Sequence, residues 1–102
     1  MPFVYIQEFE IGDRSTENYD AVKERLGDAA IDGLVVHTAG FDDENGVFRI
    51  VDVWESREQW ERFDKEKIQP MIAEGPEAFP RPDNFTPPTR EATYELHDFV
   101  KQ

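Results

Sequence analysis

Residues 47–54, VFRIVDVW, place large apolar side chains on both sides of one strand. Successive strand residues point to opposite faces, so Val47, Val51 and Val53 stand against Phe48, Ile50 and Trp54. A strand with one wet face alternates apolar and polar residues. This one does not, so both faces of the sheet that holds it need cover. What the rest of the chain can supply decides the architecture.

The remainder supplies three more strands and two helices. FVYIQEF at 3–9 alternates and is rich in strand formers. GDRS follows as a turn. Ser15 or Thr16 can cap a helix running to about residue 30, with Tyr19, Val22 and Leu26 on one side. Gly33 opens LVVHTAGF, a second strand, and DDENG, with its Asn45-Gly46 pair, turns into the third. Ser56 and Gln59 form a capping box at the start of a second helix. Pro70 should kink or end that helix near Gln69. Residues 74–90 hold five of the seven prolines and predict a long, irregular, mobile loop with little to bury. ATYELHDFV at 92–100 closes the chain as a fourth strand.

The order β-α-β-β-α-β, with right-handed crossovers, predicts a ferredoxin-like α+β domain over residues 1–102. Its sheet is four-stranded and antiparallel, with both helices on one face. Two helices leave the second face bare. A second copy of the chain is the simplest cover, so a homodimer is expected, burying more than ~1,600 Å² in total.

Composition narrows the partners. A length of 102 residues makes one domain. The net charge of -12, from 23 acidic and 11 basic residues, disfavours nucleic acid and an anionic membrane surface. With no cysteine, disulfides, thiolate nucleophiles and Cys-held metals are excluded. The first residues carry no basic region, and no apolar run approaches the ~20 residues of a membrane span, so a cytoplasmic location is expected.

Few side chains have chemistry to offer. His37 sits in an apolar strand, where an unpaired polar group costs free energy. It is either a neutral imidazole bonded to a neighbour or a general base or hydrogen-bond partner for a substrate. Asp52, in IVDVW, needs a partner or an elevated pKa. It either accepts from a backbone donor or Arg49, or orients His37 or meets a substrate hydroxyl. The hairpin loop decides whether the two share a face. A four-residue loop, Asp42 to Asn45, pairs Phe41 with Gly46 and His37 with Ile50, which puts His37 on the Phe48, Ile50, Asp52, Trp54 side. A loop one residue longer or shorter turns it away. Trp54 and Trp60 are expected on opposite walls of one cavity between sheet and second helix, with Phe63 beside Trp60 and Tyr5 adding a phenol. His97 lies on the fourth strand, on the opposite face from Asp98. Two histidines sixty residues apart, without close carboxylate spacing, fit no common metal pattern.

The phrase VDVWESREQWERF, the chain length and the element order resemble the dimeric α+β barrel superfamily, in particular its antibiotic-biosynthesis-monooxygenase-like branch. Members often run a third strand into a W-E-S cap and an aromatic-bearing second helix, as Trp54, Glu55 and Ser56 do here. The resemblance implies a dimer with a small-molecule site and no cofactor or metal. It implies an oxygenase-like or isomerase-like enzyme for an aromatic or polyketide-type compound. The alternative is a non-catalytic barrel that binds a small apolar ligand or serves as an accessory subunit. On the catalytic reading His37 and Asp52 carry the chemistry, while Tyr5, Trp54, Trp60, Phe63 and His97 contact the ligand. Haem-degrading members use a histidine on or after the second helix. This chain has none between Thr38 and Leu96, and the position of their pocket tryptophan falls on Phe63.

Overall fold

The computed structural model describes residues 1–102. Its strands are β1 (Phe3–Glu10), β2 (Leu34–Asp42), β3 (Val47–Trp54) and β4 (Arg90–Glu95). Its helices are α1 (Glu17–Leu26), α2 (Arg57–Phe63) and α3 (Gln69–Ala73). The sheet runs β2-β3-β1-β4 with every neighbouring pair antiparallel. This is the expected ferredoxin-like arrangement. Tyr19 of α1 packs on Phe48, and Trp60 and Phe63 of α2 pack on Phe3 and Trp54, so the helices share one face of the sheet.

The element ends differ from expectation for local reasons. α1 stops at Leu26 because Gly27 takes φ 74, a left-handed conformation that breaks the helix. Thr16 holds the N-cap position, but its hydroxyl bonds the Asp20 carboxylate at 2.9 Å. The Ser56 cap forms as expected: its Oγ accepts from the Gln59 N–H at 3.3 Å and donates to Gln59 Oε1 at 2.8 Å. Pro70 does not end the helix. A π turn over Asp64–Ile68 widens the ladder just before it, and α3 continues to Ala73. Such a turn accommodates a residue that lacks the N–H and crowds the preceding carbonyl. β4 ends at Glu95, so His97 lies beyond the strand.

Gly33 fixes how β2 meets α2. Its carbonyl accepts from the Glu55 N–H at 2.7 Å, and its φ is 85. A Cβ there would fall 2.7 Å from Gln59 Cβ. Only glycine lets the capping turn sit this close to the strand.

The proline-rich segment buries more than expected. Phe79 is buried and stacks on Phe85, with ring centroids 4.8 Å apart. Asn18 and Arg81 exchange two 2.9 Å bonds that tie the segment to α1. Two short 3-10 turns, Pro76–Ala78 and Pro82–Asn84, shape it without pairing to the sheet.

The core is thin. Phe3 and Trp54 are the only large side chains fully out of water, and five residues in all are buried. The chain exposes 6940 Å², whereas a folded monomer of this mass exposes roughly 5,900 Å². Met1, Val100, Ile72 and Phe99 are among the exposed large apolar side chains, and the face away from the helices adds two more. On the face away from the helices, Val36 and Tyr94 remain 45% and 47% exposed beside Val51 and Val53. No helix is long and apolar enough to cross a membrane.

Trp54 carries a buried indole N–H with no acceptor. An unmade buried hydrogen bond costs about 1–3 kcal/mol. Trp54→Phe removes that donor along with part of the ring, so it should stay within about 1 kcal/mol of wild type. Phe3→Ala has no such offset and should cost about 3–5 kcal/mol. Urea unfolding of both variants measures the contrast, and equal losses would contradict it.

Candidate functional site

The observed hairpin loop is Asp43 to Gly46, so the pairing is two residues away from the expected one, with Phe41 opposite Phe48. A shift of two preserves the face. It also sets His37 directly opposite Asp52 rather than Ile50. On β1 the residue opposite Asp52 is Tyr5, and on β4 the residue opposite Tyr5 is Thr93. His37, Asp52, Tyr5 and Thr93 thus form one polar row across all four strands, beneath the helices.

At the β2 end of the row the side chains connect. His37 Nδ1 lies 2.5 Å from Asp52 Oδ1, and His37 Nε2 lies 2.5 Å from the Tyr19 hydroxyl. A carboxylate oxygen can only accept, so Nδ1 donates to Asp52. In the neutral ring Nε2 then accepts from Tyr19. The result is a hydroxyl–imidazole–carboxylate relay, the arrangement that lets an imidazole take up a proton beside a compensating charge. The Tyr19 and His37 rings stack with centroids 6.0 Å apart.

Burial sets the electrostatics. The Asp52 side chain is 14% exposed and that of His37 31%. Desolvation raises the Asp52 pKa above the usual carboxylate range, while the hydrogen bond and charge of His37 pull it back. Desolvation also raises the Tyr19 phenol, and the charges of Asp52 and Asp20 add to it. Tyr19 is therefore a neutral donor across the physiological range. No protein donor meets Asp52 Oδ2.

The other end of the row opens into a cleft of about 330 Å³. Tyr5, Trp60, Asp64, Gln69, Glu91, Ala92 and Thr93 line it. Trp60 lies over Tyr5, with centroids 4.7 Å apart, and over Phe3 at 5.3 Å. The Tyr5 hydroxyl donates to Glu91 Oε1 at 2.5 Å. Burial first, then the hydrogen bond to Glu91, and then the charges of Glu91, Asp64 and Asp52 push the Tyr5 phenol far above its ordinary value. A second hollow of about 490 Å³ lies between the end of α1 and the α2–α3 helix, floored by Leu26, Ile31, Phe63 and Met71.

The predicted site residues therefore divide. His37 and Asp52 meet, and Tyr5 and Trp60 meet. Trp54 does not face Trp60 across a cavity. It packs against Phe63, with centroids 5.3 Å apart, and is 1% exposed, because it closes the sheet end under α2. Phe63 borders the second hollow instead of the cleft. His97 is exposed past the end of β4, away from both. Tyr19, Asp64, Gln69 and Glu91 were not among the predicted residues. Tyr19 did show a signal: a tyrosine on the apolar side of an amphipathic helix carries its hydroxyl toward the sheet. No group of three or more side chains able to hold a metal ion occurs.

No protein-family model and no curated protein sequence matches the chain. Solved structures do. A candidate antibiotic biosynthesis monooxygenase from Chloroflexus aurantiacus J-10-fl superposes with a TM-score of 0.60 at 15% identity, covering 99% of this chain and 98% of its own. A candidate antibiotic biosynthesis monooxygenase from Bacillus cereus gives a TM-score of 0.51 at 18% identity, over 100% and 97%. The chain has their fold. The full coverage matches the resemblance in VDVWESREQWERF, and at these identities the likeness is one of fold and not of reaction.

His37 is what keeps Asp52 from rising further. His37→Gln removes the opposing hydrogen bond and charge, so the Asp52 pKa should move up from its wild-type value. Carbon-detected NMR titration of the Asp52 carboxyl reads this directly. An unchanged or lower value would show that the contact is absent in solution.

Proposed function

We propose that the chain is a small-molecule enzyme that moves protons on an aromatic or polyketide-type compound without a cofactor, in an oxygenase-like or isomerase-like reaction. The observation that carries this reading is the Tyr19–His37–Asp52 relay, with both imidazole nitrogens engaged at 2.5 Å. A proton leaving a substrate C–H or O–H passes to the Tyr19 oxygen as the phenolic proton passes to His37 Nε2. The imidazolium so formed keeps its Nδ1–H bond to Asp52, whose charge balances it. Tyr19 stays neutral throughout, in keeping with its raised pKa. Trp60 and Tyr5 supply the aromatic wall. Asp52 is the relay member nearest that wall, opposite His37 on one side and Tyr5 on the other.

The test uses a flat hydroxylated ring with an acidic CH₂, such as 1,8-dihydroxyanthrone, in deuterated buffer. Wild type should speed solvent-deuterium exchange at the CH₂, and His37→Asn should lose about 10²–10⁴-fold of that acceleration while remaining folded. Exchange that is equal in both proteins, or in buffer alone, removes the catalytic reading. The second hollow, with its apolar floor, favours the rival reading of a non-catalytic binder of an apolar ligand. Native mass spectrometry of the purified protein would then show a co-purifying apolar compound that His37→Asn retains.

The open sheet face fits a second copy of the chain, and we include the homodimer in the proposal. Its support is the excess exposed area and the exposed Val36 and Tyr94 on the face that also carries half-buried Val51 and Val53. Sedimentation at micromolar concentration should give a species of twice the 11.9 kDa chain mass. Val36→Asp, on the exposed edge of that face, should shift it toward monomer. A wild-type monomer would end the dimer reading.

A further inference from the structure

We infer that the Tyr5–Trp60 cleft binds a protonated amine, so that the substrate of the proposed reaction carries an ammonium group next to its ring. The inference rests on the cleft being the substrate site. It starts from the charges that the fold leaves unpaired. Arg14, Arg25, Arg49, Arg62, Arg81 and Arg90 each pair with a carboxylate elsewhere on the surface. Arg57 lies over the Phe3 ring, 4.4 Å from its centroid. Asp64 and Glu91 enter none of these ion pairs, and no lining residue of the cleft is cationic.

The neutral contacts in the cleft leave both carboxylates with capacity to spare. Tyr5 occupies one oxygen of Glu91, and no donor meets the other. Gln69 Nε2 is shared between the two Asp64 oxygens at 3.2 and 3.3 Å, long for a charge-assisted bond. Trp60 lines the same cleft, and an indole is the side chain whose face attracts a cation most strongly. Two carboxylates without an ion-pair partner and an indole lining one cleft attract an ammonium through both charge and ring quadrupole. A carboxylate ligand is repelled. A neutral alcohol finds acceptors but leaves the two charges uncompensated. The Tyr5 phenol, raised by Glu91, Asp64 and Asp52 after burial, registers the same negative field.

Arg90 precedes Glu91 in sequence yet does not quench it. Adjacent strand residues face opposite ways, and Arg90 turns to Glu8 on the uncovered face, 3.2 Å away. The alternation of β4 thus separates a cation from a carboxylate and leaves Glu91 to the cleft.

The test compares three probes that share a ring and differ in charge: 2-phenylethylamine, 2-phenylethanol and phenylacetate. Binding to the full chain is read by calorimetry and by the Trp60 indole N–H resonance. The amine should bind at least about tenfold tighter than the alcohol, and phenylacetate should not bind. Added salt should weaken the amine alone. Glu91→Gln and Asp64→Asn should each bring the amine toward the alcohol's affinity and leave the alcohol unchanged. Circular dichroism checks that both variants fold, since Glu91 accepts from Tyr5 and Asp64 from Gln69. Equal binding of amine and alcohol, or binding of phenylacetate, overturns the ammonium inference and leaves the ring site standing. Failure of all three probes to move the Trp60 resonance overturns the ring site as well.

Discussion

A sheet with two apolar faces and helices for only one of them governs this molecule. β3 sits next to the centre and carries both demands: Trp54, Ile50 and Phe48 look toward the helices, while Val53, Val51 and Val47 look away. The helix side satisfies its share with a few large rings, Phe3, Trp54, Trp60 and Phe63, because short helices offer little area. On the other side Val4 is buried and Val47, Val51 and Val53 are half-buried, while Val36 and Tyr94 stay exposed. The polar row His37–Asp52–Tyr5–Thr93 is possible only because the helices cover the sheet incompletely. A tightly packed layer would have no room for a cleft at one end and a half-exposed imidazole at the other.

Period and punctuation carried most of the fold into the sequence. Alternation in FVYIQEF, the Asn45-Gly46 turn and the Ser56–Gln59 box each have a local cause, and each formed close to where its cause placed it. The face shared by His37 and Asp52 was legible for a related reason. Strand geometry is two-fold, so even a register misplaced by two residues keeps the face. Other features were not legible. Pro70 announces a break in the ladder but not its form, since a kink, an end and a π turn all accommodate a missing N–H. Phe79 looked like loop because proline dominates its neighbourhood, yet it is buried against Phe85 in a segment that Arg81 ties to Asn18 of α1, more than fifty residues earlier.

The two tryptophans show the limit of reasoning from proximity along the chain. Trp54 and Trp60 are six residues apart across a strand-to-helix corner, which invites a shared pocket. The corner instead sends them to different neighbours. Trp54 meets Phe63, the next apolar turn of the same helix, while Trp60 reaches across to β1, where Phe3 and Tyr5 receive it. Phe3 stands opposite Trp54 in the sheet and under Trp60 in the layer, so it links both rings and keeps them apart. One ring became core and the other became wall because the helix axis, and not sequence distance, sets which strand each side of α2 can touch.

Asp52 bears on what the relay is for. As a structural tie it is poorly chosen. Burial works against its charge, and an asparagine of the same shape would accept from His37 Nδ1–H without that cost. The charge matters only when the imidazole is doubly protonated, since then it faces a cation and not a dipole. The carboxylate is held mostly out of water beside His37, with a neutral phenol on the far ring nitrogen. The sign of the linkage agrees. A carboxylate whose folded pKa is raised contributes less to stability as pH climbs from the unfolded value through the folded one, so at neutral pH Asp52 acts against folding. The hydrogen bond from His37 Nδ1 offsets only part of what burial costs the Asp52 charge, since the net shift stays upward.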